Sequence, residues 1–342
     1  MKKFKSVLLI VAVVGGIFLY VFYRFFYYGN VQIEEKSKLI YVHTGWTFDQ
    51  VAQMLEDKKI VKNIKGFTLV AGIKGYKDHI IPGRYRVVNR MSNLQLVNLL
   101  ASGKQEPENM SLFNIRTKYD LAGIIANKIE EDSNEVVKHF NDAKYVKQFG
   151  FNTDNFLAMF LPGTYQLWWT DASDRIINQM HDKYEAFWTE ERRKEARETG
   201  LSPLQVSILA SIVQAEQSQY YDEKQAIAGL YINRLHADMP LQSDPTLIYV
   251  RGDFSIVRVR EGDKHIESPY NTYMHTGLPP GPINMPDASS IDAVLHYQKS
   301  DYIYFCAEAD FSGRHHFSKT LKEQNEYAEK YHKALDAKEI NR

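Results

Sequence analysis

Apolar residues form one unbroken block near the start of the chain and separate periodic clusters after it. Residues 7–23 are seventeen positions without a charge, and aromatic residues extend the block beyond Arg24. At 1.5 Å per residue, this length matches a hydrocarbon core of ~30 Å. The run is longer than the apolar part of a usual signal peptide, and no A-x-A-like cleavage site follows it. We predict an uncleaved transmembrane anchor, with a cleaved signal peptide as the alternative.

Positive charges precede this apolar block. Lys2, Lys3 and Lys5 lie before it, and basic residues favour the cytoplasmic side of a membrane. We therefore expect residues 1–30 to form a cytoplasmic stub and one span of the inner (cytoplasmic) membrane. The rest of the chain would then be periplasmic or otherwise extracytoplasmic.

Residues 31–104 have the pattern of a small α+β domain. Thr47 and Gln50 can make a capping box, and apolar residues follow them at helical spacing. Ser92 can cap a further helix, and Gly103 can end that helix in the left-handed conformation. The predicted order is strand KLIYV, a helix from Thr47, a helix near 64–73, strand GRYRVV and a helix from Ser92.

Residues 105–200 are predicted to be an intermediate α/β region. Its loop FLPGTYQLWW contains Pro162 and Gly163, which signal a turn. The charged stretch 189–200 is predicted to be a solvated helix or connector that marks a boundary.

Residues 201–342 begin with strong helix signals. Ser202 is a suitable cap and Pro203 suits the first helical position. Positions three, four and seven apart share one helix face. The predicted inward face contains Gln205, Leu209, Ile212, Val213 and Glu216. The elements predicted after it are a helix from about Asp222 to His236, alternating strand character around the turn EGDK in SIVRVREGDKHIE, a hairpin over YIYFCAEADFSGRHHF and a charged C-terminal helix.

Composition excludes one class of partner. The chain of 342 residues has 42 Lys+Arg and 42 Asp+Glu, so it lacks the positive field that nucleic-acid binding needs. We expect no nucleic-acid partner. Cys306 is the only cysteine in the sequence, and no intrachain disulfide can form.

Glu216 carries the clearest chemical implication. A carboxyl group on the apolar side of a helix is poorly solvated, which raises its pKa. It can then donate a proton near neutral pH, as a general acid for glycosidic cleavage must. The alternative from position alone is that Glu216 reaches solvent at the helix end and has no chemical role.

Five ordered motifs surround this residue. They are LASIVQAE, AGLYINRL, MPLQSDPTLIY, SPYNTY and GLPPGPINMP. In sequence and order they resemble the YceG-like endolytic murein transglycosylase family. The resemblance is specific over 207–320 and covers 32–335 in layout, and five such motifs in order are a strong signal.

The resemblance implies an architecture and an activity. It implies an α+β protein with a transmembrane helix, a LysM-like peptidoglycan-binding domain over 31–104 and a catalytic domain over 201–342 that mixes helices with a hairpin. The expected enzyme is a lyase that cuts peptidoglycan glycan strands internally and leaves 1,6-anhydro ends, with Glu216 as acid and then base. Peptidoglycan strands are the expected partner, and proximity to the synthases that polymerise them is a further expectation.

The same resemblance places further residues around the cleft. The candidate substrate-binding residues are Asn233, Arg234, Gln242, Asp244, Thr246, Tyr270, Asn271, Tyr273 and His316. Asn233 and Arg234 could instead brace a helix end, and Asp244 could cap the helix that starts at Pro245. A hairpin surface role is the alternative for His316.

Three positions depart from the family pattern. Gln214 stands where relatives commonly have a second acid, which favours Glu216 as the acid. Leu157 and Gly163 replace acids expected in the middle motif, which puts a chemical role for that loop in doubt. His315 and His316 are adjacent and no third ligand has zinc spacing, so we expect neither metal nor cofactor.

Two rival functions stay open at this point. The first is a lysozyme-like hydrolase that uses Asp244 as a second carboxylate. The second is a non-enzymatic wall-binding scaffold. Products distinguish them, because anhydro ends are one water lighter than reducing ends and a scaffold releases nothing.

Overall fold

The computed structural model describes residues 2–256 and 258–337 and has a mixed α+β fold. Its chain divides into two compact units. The first comprises Met1–Met110, Lys128–Glu130 and Gln166–Ala172, and the second comprises Ser111–Asn127, Glu131–Tyr165 and Ser173–Arg342. The expected α+β class is confirmed, while the four-part division and the LysM-like character of 31–104 stay predictions.

The first unit is built on a two-stranded antiparallel sheet flanked by helices. Strand β1 (Ser37–Val42) pairs with β2 (Gly83–Val88), with Ser37 opposite Val88 and Val42 opposite Gly83. Its helices are α1 (Lys2–Phe26), α2 (Phe48–Asp57), α3 (Ile64–Ile73) and α4 (Asn93–Ala101), with a 3-10 turn at Tyr76–Asp78. The core comprises Ile40, Val42, Val51, Leu55, Phe67, Val70, Tyr85, Val87, Leu96 and Leu100.

Helix α1 is long and apolar enough to cross a membrane over Phe4–Phe26. Its side chains are exposed rather than packed into a core, as Leu9 and Phe18 illustrate. Exposed apolar residues in such numbers are costly in water and favourable in lipid. The helix is therefore compatible with a single-pass membrane anchor.

The second unit is mostly helical. Its two-stranded sheet pairs β5 (Tyr304–Ala307) with β6 (His315–Ser318). Strands β3 (Glu108–Leu112) and β4 (Gly163–Leu167) form another two-stranded sheet, and each belongs only in part to this unit. The helices are α5 (Lys118–Ala126), α6 (Ser133–Asn141), α7 (Ala143–Lys147), α8 (Ser173–Phe187), α9 (Glu190–Glu198), α10 (Pro203–Glu216), α11 (Tyr221–His236), α12 (Asp244–Arg251), α13 (Ala288–Leu295) and α14 (Leu321–Ala337), with 3-10 turns at Phe156–Met159 and Glu261–His265.

Helix α10 is the buried centre of the second unit. The Ser202 side chain accepts from the Gln205 N–H, and the Gln205 side chain accepts from the Ser202 N–H, so the predicted start has a full capping box. Residues 206–213 are buried without interruption. Gln205 itself is exposed, so its place on the predicted inward face is wrong, because its side chain turns back to the cap. The helix ends at Glu216.

Most local predictions for the other elements are confirmed. Thr47 and Ser92 head capping boxes with Gln50 and Gln95. The hairpin forms with β5 antiparallel to β6 and with Ser312 in the connection. The charged stretch 189–200 contains helix α9.

The turn predicted at EGDK is confirmed, because a 3-10 turn occupies Glu261–His265. The strand character predicted on either side of it is wrong for the described residues 255–256, 258–260 and 266–267, and Val257 lies outside the described residues. The Asp263 carboxylate closes the turn by accepting from the Arg260 N–H at 2.8 Å, and it also accepts from the Arg251 guanidinium at 2.7 Å. The first of these bonds is a local side-chain to backbone bond, which favours a turn over an alternating strand.

The capping box of α10 gives a stability prediction. Ser202→Ala removes the oxygen that accepts the Gln205 N–H and should cost about 1 kcal/mol of opening free energy. Hydrogen exchange of peptides covering α10 measures this loss. Ser218→Ala, at an exposed position beyond the helix, is the control. Equal protection of α10 in both variants would contradict the assignment.

Candidate active site

Three segments of the second unit converge on one carboxyl group. Glu216 is the last residue of α10, Tyr231 lies in the middle of α11, and Ser243 precedes α12. The Tyr231 hydroxyl donates to Oε1 of Glu216 at 2.7 Å, and the Ser243 hydroxyl donates to the same oxygen at 2.5 Å. Within the described residues, both side-chain hydrogen bonds to this carboxyl group end on Oε1. Oε2 is therefore the oxygen left to a ligand.

Burial and hydrogen bonding act in opposite directions on this carboxyl group. Burial is the largest influence and raises the pKa of Glu216 above its ordinary value of 4.5. The bonds from Ser243 and Tyr231 lower that pKa, the charge of Asp244 raises it and His315 lowers it. The net pKa is raised, which confirms the direction expected from the helix face.

Glu216 borders a cavity of about 380 Å³. The cavity is lined by Glu216, Arg234, Leu241, Gln242, Asp244, Tyr273, Tyr304, Phe305, Leu321 and Gln324. Its wall combines aromatic rings with carboxyl, amide and guanidinium groups, a mixture suited to a sugar with its apolar faces and hydroxyl rim. Five predicted site residues line it: Glu216, Arg234, Gln242, Asp244 and Tyr273.

Asp244 and Tyr273 form a second hydrogen-bonded pair in this cavity. The Tyr273 hydroxyl donates to Oδ1 of Asp244 at 2.5 Å. Burial and the neighbouring carboxylate raise the pKa of Tyr273 well above its ordinary range. Asp244 occupies the first helical position of α12, and Ser243 is the residue before the helix. Asp244 is therefore not the helix cap, and its carboxylate is directed to Tyr273.

Thr246 acts through the backbone that carries Ser243. Its hydroxyl donates to the Ser243 carbonyl at 2.7 Å and lies 2.9 Å from the Thr272 hydroxyl. The Ser243 N–H donates to the same Thr272 oxygen at 3.0 Å. Thr246 and Thr272 are almost fully buried. They fix the segment from which Ser243 reaches Glu216.

Arg234 and Asn233 also bind backbone groups. The Arg234 guanidinium donates to the carbonyls of Ile303, Pro240 and Leu241 at 2.7 to 3.0 Å. Asn233 donates to the carbonyls of Ser300 and Tyr302 at 2.7 and 2.9 Å. Both residues brace the segments around the cavity, and Arg234 borders it as well.

The remaining predicted residues have different surroundings. Asn271 is buried and donates to the carbonyls of Lys264 and Ile266. Tyr270 donates to the Asp154 carbonyl at 3.2 Å. The His316 ring stacks on Tyr327 at 3.3 Å between centroids. Within the described residues, none of these three lines the cavity of Glu216.

A buried carboxylate also supports the loop after Glu216. Glu223 accepts from the Gln217 amide at 2.8 Å and from the His315 N–H at 3.0 Å, and its Oε2 lies 3.1 Å from Nδ1 of His315. Gln217 and Glu223 are both buried. This network ties α10, α11 and β6 together directly behind the acid.

Sequence reasoning missed the two hydroxyl donors. Tyr231 lies within AGLYINRL and Ser243 within MPLQSDPTLIY, but the sequence pattern predicts neither as a site residue. Tyr231 precedes Arg234 by three positions, which places both on one face of α11. That signal could have found Tyr231, whereas nothing in the local pattern indicates that Ser243 reaches back to Glu216.

Known proteins resemble this chain in sequence. A sequence model described as the YceG-like family matches residues 40–330. The chain belongs to the YceG-like family. A Bacillus subtilis (strain 168) protein named endolytic murein transglycosylase is 32% identical over 341 residues, covering 93% of this chain and 91% of the relative. The predicted family resemblance is thereby confirmed.

Two other YceG-like comparisons agree. An endolytic murein transglycosylase of Streptococcus pneumoniae (strain ATCC BAA-255 / R6) is 26% identical over 310 residues, covering 80% of this chain but 55% of the relative. The chain thus spans about half the length of that protein. A crystal structure of a yceG-like protein from Listeria monocytogenes has a TM-score of 0.58 and 28% identity, covering 85% of this chain and 98% of that chain.

Removal of either hydroxyl should change the pKa of Glu216. Because both bonds lower the pKa, Tyr231→Phe and Ser243→Ala should each raise it further. Carboxyl ¹³C titration of Glu216 measures the change. Tyr297→Phe, at a tyrosine outside the site, is the control and should leave the titration unchanged. A lower pKa in either site variant would contradict the assigned hydrogen bonds.

The raised pKa also predicts how stability depends on pH. The unfolded carboxyl titrates near 4.5 and the folded one higher, so its stabilising contribution is complete below pH 4.5 and is lost as pH rises through the folded pKa. Glu216→Gln keeps an oxygen for both donors and does not titrate. The melting temperature of Glu216→Gln should exceed that of the native chain, and the difference should grow as pH rises from 4.5 through the folded pKa.

Thermal unfolding at a series of pH values tests this difference. Glu326→Gln, at an exposed position of α14, provides the matched control and should follow the native chain. A Glu216→Gln difference that is independent of pH would show that the folded-state pKa is not raised.

Proposed function

We propose that this protein is an endolytic murein transglycosylase, a lyase that cleaves the β-1,4 bond between N-acetylmuramic acid and N-acetylglucosamine within peptidoglycan glycan strands. The observation that carries the proposal is the half-buried carboxyl group of Glu216, held through one oxygen at the edge of a polar and aromatic cavity. The names of the relatives from Bacillus subtilis and Streptococcus pneumoniae support the same activity.

In the first half of the proposed reaction, Glu216 is the acid. Burial raises the pKa of Glu216 above its ordinary value, which favours the protonated form that a general acid requires. Two hydroxyls donate to Oε1, so the carboxyl proton belongs on Oε2. Oε2 gives this proton to the bridging oxygen as the bond from that oxygen to C1 of the muramoyl residue breaks.

In the second half, the same group is the base. The muramoyl 6-hydroxyl oxygen bonds to C1, and its proton passes to the Glu216 carboxylate, which restores the starting acid. The products are a 1,6-anhydro end and a free 4-hydroxyl, with no water consumed. The nucleophile belongs to the substrate, so a second catalytic carboxylate is unnecessary.

The membrane helix and the first unit have proposed roles around this reaction. Helix α1 would anchor the chain in the inner (cytoplasmic) membrane with its N-terminus cytoplasmic, since Lys2, Lys3 and Lys5 precede the span. Residues 31–104 would bind peptidoglycan as a LysM-like domain. Anchoring would keep the enzyme beside nascent strands and the synthases that make them.

The rival hydrolase has one specific observation in its favour. Asp244 lines the same cavity as Glu216, and two carboxylates flanking a glycosidic bond are the usual hydrolase arrangement. Against it, Asp244 is engaged by the Tyr273 hydroxyl at 2.5 Å. Product mass separates the two mechanisms.

The decisive experiment incubates the full chain with uncross-linked glycan strands and analyses the ends by mass spectrometry. Native protein should release anhydro ends, and Glu216→Gln should reduce the rate by at least about 10³-fold, because it removes the proton that the leaving oxygen needs. Glu326→Gln is the matched control. Asp244→Asn should still give anhydro ends.

Other outcomes would overturn the proposal. Undiminished cleavage by Glu216→Gln would show that Glu216 is not the acid. Reducing ends, one water heavier, would favour the hydrolase. Binding to sacculi without any released product would favour a wall-binding scaffold.

A further inference from the structure

A second cavity lies beside the one that contains Glu216. Its volume is about 440 Å³, and the end of α10, the start of α12 and the loops near residues 115 and 284 surround it. Gln214 and Ala215 border this second cavity, whereas the next residue, Glu216, borders the first. Consecutive residues in the last turn of α10 therefore border the two cavities.

Residues of helix α12 also border both cavities. Asp244 borders the first cavity, while Pro245 and Ile248 border the second. A linear chain cut at Glu216 must continue on both sides of the broken bond. The second cavity borders the same turn of α10 as Glu216, so one of those continuing parts could occupy it.

Arg116 gives the second cavity a positive charge. It is the one charged residue among the described residues that line the cavity. Its guanidinium lies 4.6 Å from the centroid of the Phe254 ring, and its side chain is exposed. Within the described residues, no carboxylate forms an ion pair with Arg116. An exposed guanidinium without an ion-pair partner favours binding of a planar anion such as a carboxylate.

Asn284, which also lines the second cavity, adds an acceptor. Its amide nitrogen donates to the Ser211 carbonyl at 2.7 Å, which fixes the orientation of the amide group. Its Oδ1 is buried and has no hydrogen-bond partner in the described structure. A buried acceptor without a donor is costly, so a ligand N–H at this point would be stabilised.

The walls between these polar groups are apolar and fixed in place. Ile248, Tyr249 and Ile283 line the cavity. The Met285 N–H donates to the Ile115 carbonyl at 2.8 Å, which ties the loop of Arg116 to the loop of Asn284. The cavity thus presents a cation, an acceptor and an apolar surface in one place.

We propose that this second cavity binds the acidic substituent of an N-acetylmuramoyl residue, with Arg116 on a carboxylate and Asn284 Oδ1 on an amide N–H. A lactyl group with its attached peptide carries methyl groups, amide N–H groups and carboxylates, which match the three kinds of surface. N-acetylglucosamine carries no carboxylate. The inference rests on the proposed function and would explain how the enzyme sets the register of cleavage along an alternating strand.

The test uses the full chain with Arg116→Gln, which removes the charge at similar length, and Arg116→Lys, which keeps it. Lys299→Gln removes one exposed positive charge elsewhere in the second unit and is the matched control. On uncross-linked strands with stem peptides, Arg116→Gln should raise KM about tenfold with kcat within about twofold, because it removes ground-state binding. Arg116→Lys should recover part of the loss.

Binding without turnover separates this inference from the proposed chemistry. Strand affinity is measured in a Glu216→Gln background with and without Arg116→Gln. A roughly tenfold weakening that shrinks at high salt supports the inference, even if Glu216 is shown not to be the acid. Unchanged affinity and unchanged KM would overturn it, and so would a loss confined to kcat.

Three ligands distinguish the sources of the carboxylate. They are strands with stem peptides, strands stripped of peptides so that lactyl carboxylates are free, and chitooligosaccharides, which have no carboxylate. A loss on stem-bearing strands alone assigns the peptide, and a loss on stripped strands as well includes the lactyl group. An equal loss on chitooligosaccharides would overturn carboxylate recognition. Unchanged melting temperatures of the variants exclude unfolding as the cause.

Discussion

The chemistry proposed for Glu216 depends on two hydroxyls that donate to one oxygen of its carboxyl group. Tyr231 and Ser243 both bind Oε1 of Glu216, and both are almost fully buried. A buried carboxyl group without partners would be neutral at all ordinary pH values, while one with many donors would be an ordinary carboxylate. Here burial raises the pKa and the hydroxyls limit the rise. A group balanced in this way can exist in both protonation states.

The rest of the second unit maintains that arrangement. Helix α10 reaches Glu216 through a buried core that starts at the Ser202 cap. Behind the acid, Glu223 joins Gln217 to His315, and Arg234 gathers three backbone carbonyls around the cavity. These bonds occupy side chains that the sequence alone would assign to substrate binding. Much of the polar chemistry in the motifs therefore holds the site in shape.

The sequence predicted elements better than side-chain partners. Caps at Thr47, Ser92 and Ser202 are encoded within three residues, so they can be identified from local spacing. Helical periodicity places Glu216 beside apolar residues, and it is the family resemblance that favours Glu216 as the acid, which stays a prediction. Ser243 lies 27 positions from Glu216, and only the tertiary fold brings its hydroxyl to that carboxyl group. The strands expected on either side of the EGDK turn are absent from the described residues, and there the Asp263 carboxylate meets the Arg251 guanidinium across twelve positions, a contact that local spacing does not encode.

The two cavities that border α10 differ in charge. The one that contains Glu216 also holds Asp244 and Arg234, so its charges are mixed, whereas Arg116 is the one charged residue among the described residues that line the other. Under the proposed carboxylate recognition, Arg116 would give an acidic substituent a preferred cavity. In an alternating strand, binding one acidic residue there would fix which bond lies over Glu216. Selectivity for the bond and protonation of its oxygen would then be tasks of different cavities.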